Sequence, residues 1–435
     1  MVGVSIITIA RGILGLISLL FISYLLSDNK KKIKWKTVFI SVLIQFVVAF
    51  SILKISIVQS IFNIISKFFI RVINYTASGS TFLFSSLVNQ EKSSYIFAFQ
   101  VLPVIIFFSA LTSMLYHLGV IQKIVSFLAW LLTRLLKISG AESLSLAGNI
   151  FLGQTESPIL IKSYLEKMTK SQLFIVMVGG MSTVAGSVLA AYIGLLGGND
   201  TNEQLIFSTH LLTASVMAAP GAVAISKIIF PDANNDAKDS IEVEKEKING
   251  NILLSITKGT IEGVKLAVNV GAMLLVFLAI IALLNDIMWL IGDLFSLNVL
   301  ISEFTNFDNF SIEFVLGYLL APLMWLIGVT YNECAIMGQL LGVKIVSSEF
   351  VAFIQLADFK NTNTTINLLS NKSITMATFM LCGFANFASI GIQIGGIGVL
   401  APGQRKNLSN LGFKAMIAGT IVSLISACFS GVLVT

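Results

Sequence analysis

Charge is what this sequence has least of. Asp, Glu, Lys and Arg make up only 11% of its 435 residues, while 56% are hydrophobic. Soluble domains carry roughly 25% charged residues. No soluble fold of this length hides so much apolar surface, so the chain reads as a polytopic membrane protein. Histidine is nearly absent: His117 and His210 are the two in the chain. That excludes a His-built metal centre or a Ser-His-Asp arrangement. Cys334, Cys382 and Cys428 are the three cysteines, far apart and in apolar surroundings. Their spacing suggests no metal site, and an odd number excludes a simple disulfide framework. The net charge of +6 comes mainly from lysines in loops, so it implies no nucleic-acid partner.

What is abundant is apolar sequence in long runs. Mean hydropathy is +0.90. Runs at about 4–26, 37–59, 95–118, 171–194, 203–228, 263–285 and 411–434 each approach the ~20 residues that cross a hydrocarbon core. The first is too long for a signal-peptide core and has no small-x-small cleavage site, so it reads as a retained spanning helix. It is followed by "DNKKKIKWK" (28–36), with five lysines. The positive-inside rule places that loop in the cytoplasm and the N-terminus outside. "IFNIISKFFIRVI" (61–73) and "IQKIVSFLAWLLTRLLKIS" (121–139) alternate apolar faces with basic residues and read as helices lying in the interface. Residues 231–250 form the only long hydrophilic stretch and separate two halves. The expected organisation is an N-terminal scaffold region 1–94, a first core repeat 95–230, the loop 231–250 and a second core repeat 251–435.

Two regions break the apolar pattern. One is 142–166, containing "NIFLGQTESPILIKSYL"; the other is about 330–365. Each is apolar enough to enter a bilayer but carries Gly, Ser and Glu centrally. In the first, Gly153 and Pro158 flank a polar tip. Proline lacks an N–H and disfavours helix in the residue before it. A break there yields a re-entrant hairpin with two half-bilayer arms, tolerated when it is buried in protein or faces a cavity.

Each region precedes an unusual Gly/Ala/Ser-rich segment: "VMVGGMSTVAGSVLAAYIG" (176–194) and "FMLCGFANFASIGIQIGG" (379–396). Aligned on Gly180 and Gly383, they put Thr183 opposite Asn386. Two such pairs in corresponding halves form the pattern of transporters with inverted repeats, whose broken helices meet at a midplane site. A carboxylate at bilayer depth costs ~2.5–3.5 kcal/mol, and neither Glu156 nor Glu349 has a basic residue in its own turn. An interfacial position in contact with water is the plain alternative; the Gly/Pro break and the duplication argue against it. Taken singly, Asn149, Thr183, Asn386 and Ser389 are explained by hydrogen bonding between helices. Together with carbonyls freed at helix breaks, they supply oxygen ligands for a small cation and donors and acceptors for a polar solute.

These residues carry a specific resemblance. "GQTESPILIKSYLEKMTKSQLFIVMVGGMSTVAGSVLAAYIG" (153–194), "SEFVAF" (348–353), "LCGFANFASIGIQIGGIGVLAP" (381–402) and "GTIEGVKLAVNVGAMLLVFLAIIALLN" (259–285) resemble the concentrative nucleoside transporter family, over roughly residues 95–435. The resemblance implies an all-α membrane protein with about eight spanning helices, interfacial helices and two opposed re-entrant hairpins. It implies a homotrimer of elevator-type transporters in a plasma membrane (a bacterial inner membrane) that import nucleosides of the uridine, cytidine and adenosine class. The coupling ion would be sodium, with protons as the alternative, and no other cofactor is implied. Carried over by motif, Gln154, Thr155 and Glu156 would contact the nucleobase and Val188 would line its pocket. Glu349, Asn386 and Ser389 would hold the ribose, and Phe384 would pack on the nucleoside. Sodium would lie between Asn149, Thr183 and the carbonyls of Leu152 and Val184.

The sequence departs from the family pattern in places. Ser348 stands where the family usually has Asn before the second glutamate, and Ala388 replaces a serine. Asn332-Glu333 is the more literal Asn-Glu pair, but the sequence after it does not match, so Glu333 is the lesser candidate. Two other classes remain as alternatives. A non-transporting gate-domain relative would be expected to lose the polar side chains retained here. An intramembrane enzyme using paired carboxylates lacks a nucleophile-and-base spacing, and the chain is read as a non-enzyme.

Overall fold

The computed structural model describes residues 6–88, 96–198, 200–231, 251–361 and 369–434. Every element among them is helical. The chain opens with α1 (Ile6–Leu25), α2 (Trp35–Lys54) and α3 (Ser56–Phe84). A single turn, α4 (Phe97–Gln100), leads into α5 (Leu102–His117), which is followed by α6 (Val120–Leu136). Helix α6 buries Ile121, Val125, Ala129, Leu132 and Leu136 along one stripe and leaves the other face open, an amphipathic pattern. The helix expected over 61–73 lies inside the longer, 29-residue α3, which is also long and apolar enough to cross a membrane.

The first hairpin begins with α7 (Gly140–Asn149). Its start is a capping box: Ser139 accepts from the Glu142 backbone N–H, and the Glu142 carboxylate accepts from Ser139 N–H. The other oxygen of Glu142 pairs with Lys227 at 2.7 Å. The return arm differs from expectation. It is a 3-10 turn, Ser157–Ile161, followed by the one-turn α8 (Lys162–Leu165). Pro158 sits at its start, and Ser157 Oγ donates to Ser145 O at 2.6 Å, tying the arms together.

Two half-helices follow, α9 (Lys170–Ser182) and α10 (Gly186–Gly197), and then the long α11 (Thr201–Ile229). Residues 232–250, most of the expected hydrophilic connector, lie outside the described residues. The run expected at 263–285 is the middle of α12 (Ile252–Leu294), whose 43 residues extend roughly 65 Å at ~1.5 Å per residue. Helices α13 (Leu297–Phe304) and α14 (Ile312–Leu326) come next. The second hairpin is α15 (Cys334–Val346) and α16 (Glu349–Asn361), turning at Ser347-Ser348. Its arms are 13 residues each. The second pair of half-helices, α17 (Asn371–Leu381) and α18 (Phe387–Leu400), precedes α19 (Arg405–Leu433).

Burial sorts these helices into an inner and an outer set. The apolar windows of α9–α10, α11 and α19 are 100%, 94% and 89% buried, against 22% for α1 and 11% for α12. Helix α12 meets α5 through small residues. An added methyl at Gly259 would meet Ala110 and Ser113, and one at Gly263 would meet Ile106 and Ser109. Small residues one turn apart let two backbones approach closely, as in membrane helix pairs. Over residues 270–284 the outward surface of α12 is apolar and open, with Leu275 and Leu283 prominent.

The second break is longer than the first, residues 382–386 against 183–185. Aligning the points where helix resumes, Gly186 with Phe387, puts Thr183 opposite Phe384. The glycine-based register that sets Thr183 opposite Asn386 differs from this one because Gly180 lies inside α9 and Gly383 inside the second break.

Candidate functional site

The two breaks touch each other. Phe384 N–H donates to Thr183 O at 3.2 Å. Gly383 has φ +149°, a region L side chains rarely adopt. A methyl there would lie 3.0 Å from Met181 O, so glycine is what allows the two unwound strands to approach. Both hairpin tips converge on this crossing.

From the first hairpin, Gln154 Nε2 donates to Ser389 Oγ at 3.1 Å. On the second broken helix, Asn386 caps α18: its Oδ1 accepts from Ser389 N–H at 2.8 Å. Its Nδ2 donates to Glu349 Oε2 at 2.7 Å. Glu349 Oε1 accepts from Tyr192 OH at 3.0 Å. One continuous polar chain thus joins both hairpins and both broken helices through Gln154, Ser389, Asn386, Glu349 and Tyr192. All five are buried. Val188 lies one turn before Tyr192 and is buried, and Phe384 is half-buried. Thr155 packs on Gly396 of α18, where an added Cβ would meet its methyl.

Glu156 lies apart from this chain. Its Oε2 accepts from Gly153 N–H at 3.1 Å, and its carboxylate faces a cavity of about 550 Å³. That volume is in the range of small-molecule sites. Leu152, Ser187, Lys258, Glu262 and Tyr116 share its lining, so the cavity separates the first hairpin and the start of α10 from α5 and α12. Glu333, the lesser candidate, is occupied elsewhere. Its carboxylate accepts from Ser370 N–H at 2.7 Å and from the hydroxyls of Ser370 and Ser373, at the start of α17. It acts there as an N-terminal anion on a helix.

Asn149 ends α7 against the last turn of α9, with Nδ2 3.1 Å from where a Cβ on Gly179 would sit. Both of its amide atoms are buried without a hydrogen-bond partner, as are Gln154 Oε1 and Gln393 Oε1. An unsatisfied buried polar group costs ~1–3 kcal/mol, so four such atoms around one crossing point to a ligand. Thr183 Oγ1 donates to Gly179 O at 3.0 Å, which leaves its lone pairs available to a cation beside Asn149. Leu152 and Val184 are buried in the adjoining turn and break. The donor set of amide oxygen, hydroxyl and freed carbonyls is the hard-oxygen set a small cation takes.

Sequence reading missed Tyr192 and Gln393. Each lies four residues after a named candidate, Val188 and Ser389, and so on the same helix face. Gln393 Nε2 donates to Met177 O at 3.0 Å, locking α18 to α9.

Two hairpins and two interrupted helices closing on one polar network, inside a polytopic bundle, define a secondary transporter of the inverted-repeat class. Comparison with known proteins makes this specific. The family described as "Na+ dependent nucleoside transporter C-terminus" matches residues 210–431, its N-terminal counterpart matches 14–87, and "Nucleoside recognition" matches 98–199. A Haemophilus influenzae protein described as an uncharacterized transporter is 38% identical, over 98% of each chain. The rat "Sodium/nucleoside cotransporter 2" is 34% identical over 96% of this chain, which spans 62% of that longer protein. The solved transporter CNTnw, in an inward-facing substrate-bound state, matches with a TM-score of 0.89 at 35% identity, over 98% of this chain and 99% of that one. A variant of it in an outward-facing state matches with 0.88. The chain therefore belongs to the Na+ dependent nucleoside transporter family.

Proposed function

We propose that this chain is a sodium-coupled symporter that imports nucleosides across the plasma membrane by elevator-like alternating access. The observation that carries the reading is the polar chain from Gln154 to Tyr192 beside the unpartnered amides of Asn149 and Gln154. Family membership, and the inward- and outward-facing states of a 35%-identical relative, support it.

The residues divide the work by chemistry. Glu349 offers carboxylate oxygens whose lone pairs exceed the two bonds already made, so ribose hydroxyls can add as charge-assisted donors. Asn386 and Ser389 orient that carboxylate and bind the same sugar. Gln154 and Thr155 present both donors and acceptors to a base edge, Val188 and Phe384 supply apolar surface, and Glu156 reaches the base from the cavity side. Sodium as co-substrate would bind at Asn149, Thr183 and the carbonyls of Leu152 and Val184. It would fix the first hairpin against the α9–α10 break and so complete the nucleoside site. This makes nucleoside binding depend on the ion.

The hairpins and broken helices would move as one body against a scaffold of outer helices, with the cavity beside Glu156 marking their boundary. The open apolar face of α12 is suited to lipid and to the partner copies of a homotrimer. The lysines at 30–36 support a cytoplasmic loop after α1 and an N-terminus outside. Calorimetric titration of uridine and adenosine into purified protein tests the site. Tight binding in sodium chloride and weak binding in choline chloride is expected. Binding that ignores sodium but varies with pH would transfer coupling to protons.

A further inference from the structure

The buried lysine of the first repeat, Lys227, is paired with Glu142; the second repeat buries one with carbonyl and hydroxyl acceptors instead. Lys344, on α15, is 0% exposed, among the largest fully buried side chains. Among the described residues, no carboxylate lies within ion-pair distance of its Nζ. Its ammonium donates to Met380 O at 2.8 Å and to Ser423 Oγ at 3.4 Å. Met380 lies in the last turn of α17, just before the break. Ser423 Oγ in turn donates to Cys382 O, the first carbonyl of the break, at 3.4 Å.

This place has a counterpart. In the first repeat, Asn149 of hairpin helix α7 abuts Gly179, in the last turn of α9 before its break. In the second, Lys344 of hairpin helix α15 abuts Met380, in the last turn of α17. Counted back from the ends of the two half-helices, Gly179 lies three residues before Ser182 and Met380 one residue before Leu381, so both fall in the last turn before their breaks. The carboxyl end of a half-helix concentrates carbonyl oxygens and the negative end of its dipole, which favours a cation. One repeat meets that end with a neutral amide lacking partners, the other with a fixed ammonium.

We propose that Lys344 is a tethered cation: it holds, in the second repeat, the place where the first repeat takes its mobile coupling ion, and so limits the transporter to one such ion. A buried ammonium is costly unless its protons find acceptors. The Met380 carbonyl and the Ser423 hydroxyl provide them, and the charge ties the second hairpin to the second break permanently. The first hairpin is tied to its break only when an ion binds. The two halves, alike in topology, thus differ in which of them sodium controls. The inference rests on the sodium-coupled reading given above.

The test is Lys344→Ser, which frees the α17 end and leaves a hydroxyl near it. Sodium-dependent thermal stability and sodium-dependent nucleoside binding are measured for wild type, Lys344→Ser and Lys344→Arg. The expected result is that Lys344→Ser is destabilised in choline chloride and recovers with sodium more than wild type does. Its sodium activation of binding would become sigmoidal, with the Hill coefficient rising from about one toward two. Lys344→Arg keeps the fixed charge and is expected to stay hyperbolic. A wild-type-like sodium response in Lys344→Ser overturns the proposal. If Lys344→Ser does not assemble, Lys344→Gln takes its place: a sigmoidal sodium response supports the tethered charge and a hyperbolic one overturns it. Absence of sodium-dependent nucleoside binding in wild type would instead overturn the functional reading itself.

Discussion

Glu349 begins α16 with its two carboxylate oxygens taking bonds from different helices, Tyr192 on α10 and Asn386 on α18. Glu349→Gln would replace one acceptor oxygen with a donor that faces another donor. Bonds to charged groups contribute ~1.5–3 kcal/mol each, so nucleoside affinity should fall by at least ~100-fold, while the protein still assembles, as isothermal titration and size-exclusion chromatography would read. Tyr192→Phe removes one of these bonds and should weaken binding roughly tenfold. Glu333→Gln should leave affinity unchanged and lower thermal stability by about 1 kcal/mol, as loss of a helix-capping interaction does. If Glu349→Gln bound normally and Glu333→Gln did not, the choice between the two glutamates would be reversed. At this scale the sequence was legible wherever a motif could be matched. Gln154, Glu349, Asn386 and Ser389 fall in one network. Tyr192 carries no such signal, because a tyrosine in an apolar run reads as packing and its partner lies 157 positions away. Glu156 lies between the arms of the first hairpin, but nothing in the chain order indicates that it faces the cavity.

At the scale of elements, the site depends on two interrupted helices crossing at Gly383. Its φ of +149° and its approach to Met181 O both require glycine. Gly383→Ala should cost about 1–3 kcal/mol of stability and weaken sodium and nucleoside binding together, because both sites hang on the same crossing. Thermal melts with and without sodium would read this directly. An unaltered melting curve would show that the crossing is slack. Most spanning helices were visible as apolar runs, since twenty consecutive apolar residues have few other uses. The interruptions were visible as Gly/Ser-rich segments. Their unequal lengths, three residues against five, are not legible in the sequence. The full extent of α3, which runs past Lys67 and Arg71 to Phe84, is also not legible in the apolar pattern of 61–73.

For the whole molecule, α9–α11, α17 and α19 form a buried inner set, α18 keeps one face open, and the outer helices keep apolar surface outward. The division supports a transport body that moves against a scaffold, with α12 in the outer set. Native mass spectrometry from mild detergent should find three copies, and a single copy would remove α12 from a role in assembly. Architecture at this scale was readable because repeat, hairpins and polarity all pointed the same way. The tethered charge at Lys344 was not, since a lysine in a hairpin gains meaning only when its partner carbonyl is known.

The central claim is that the polar network binds nucleosides and that sodium drives their entry. Uptake of radiolabelled uridine and adenosine into proteoliposomes, with and without an inward sodium gradient, tests it most directly. The account predicts saturable uptake that the gradient accelerates and that survives a proton uncoupler. No saturable uptake of any nucleoside would contradict it.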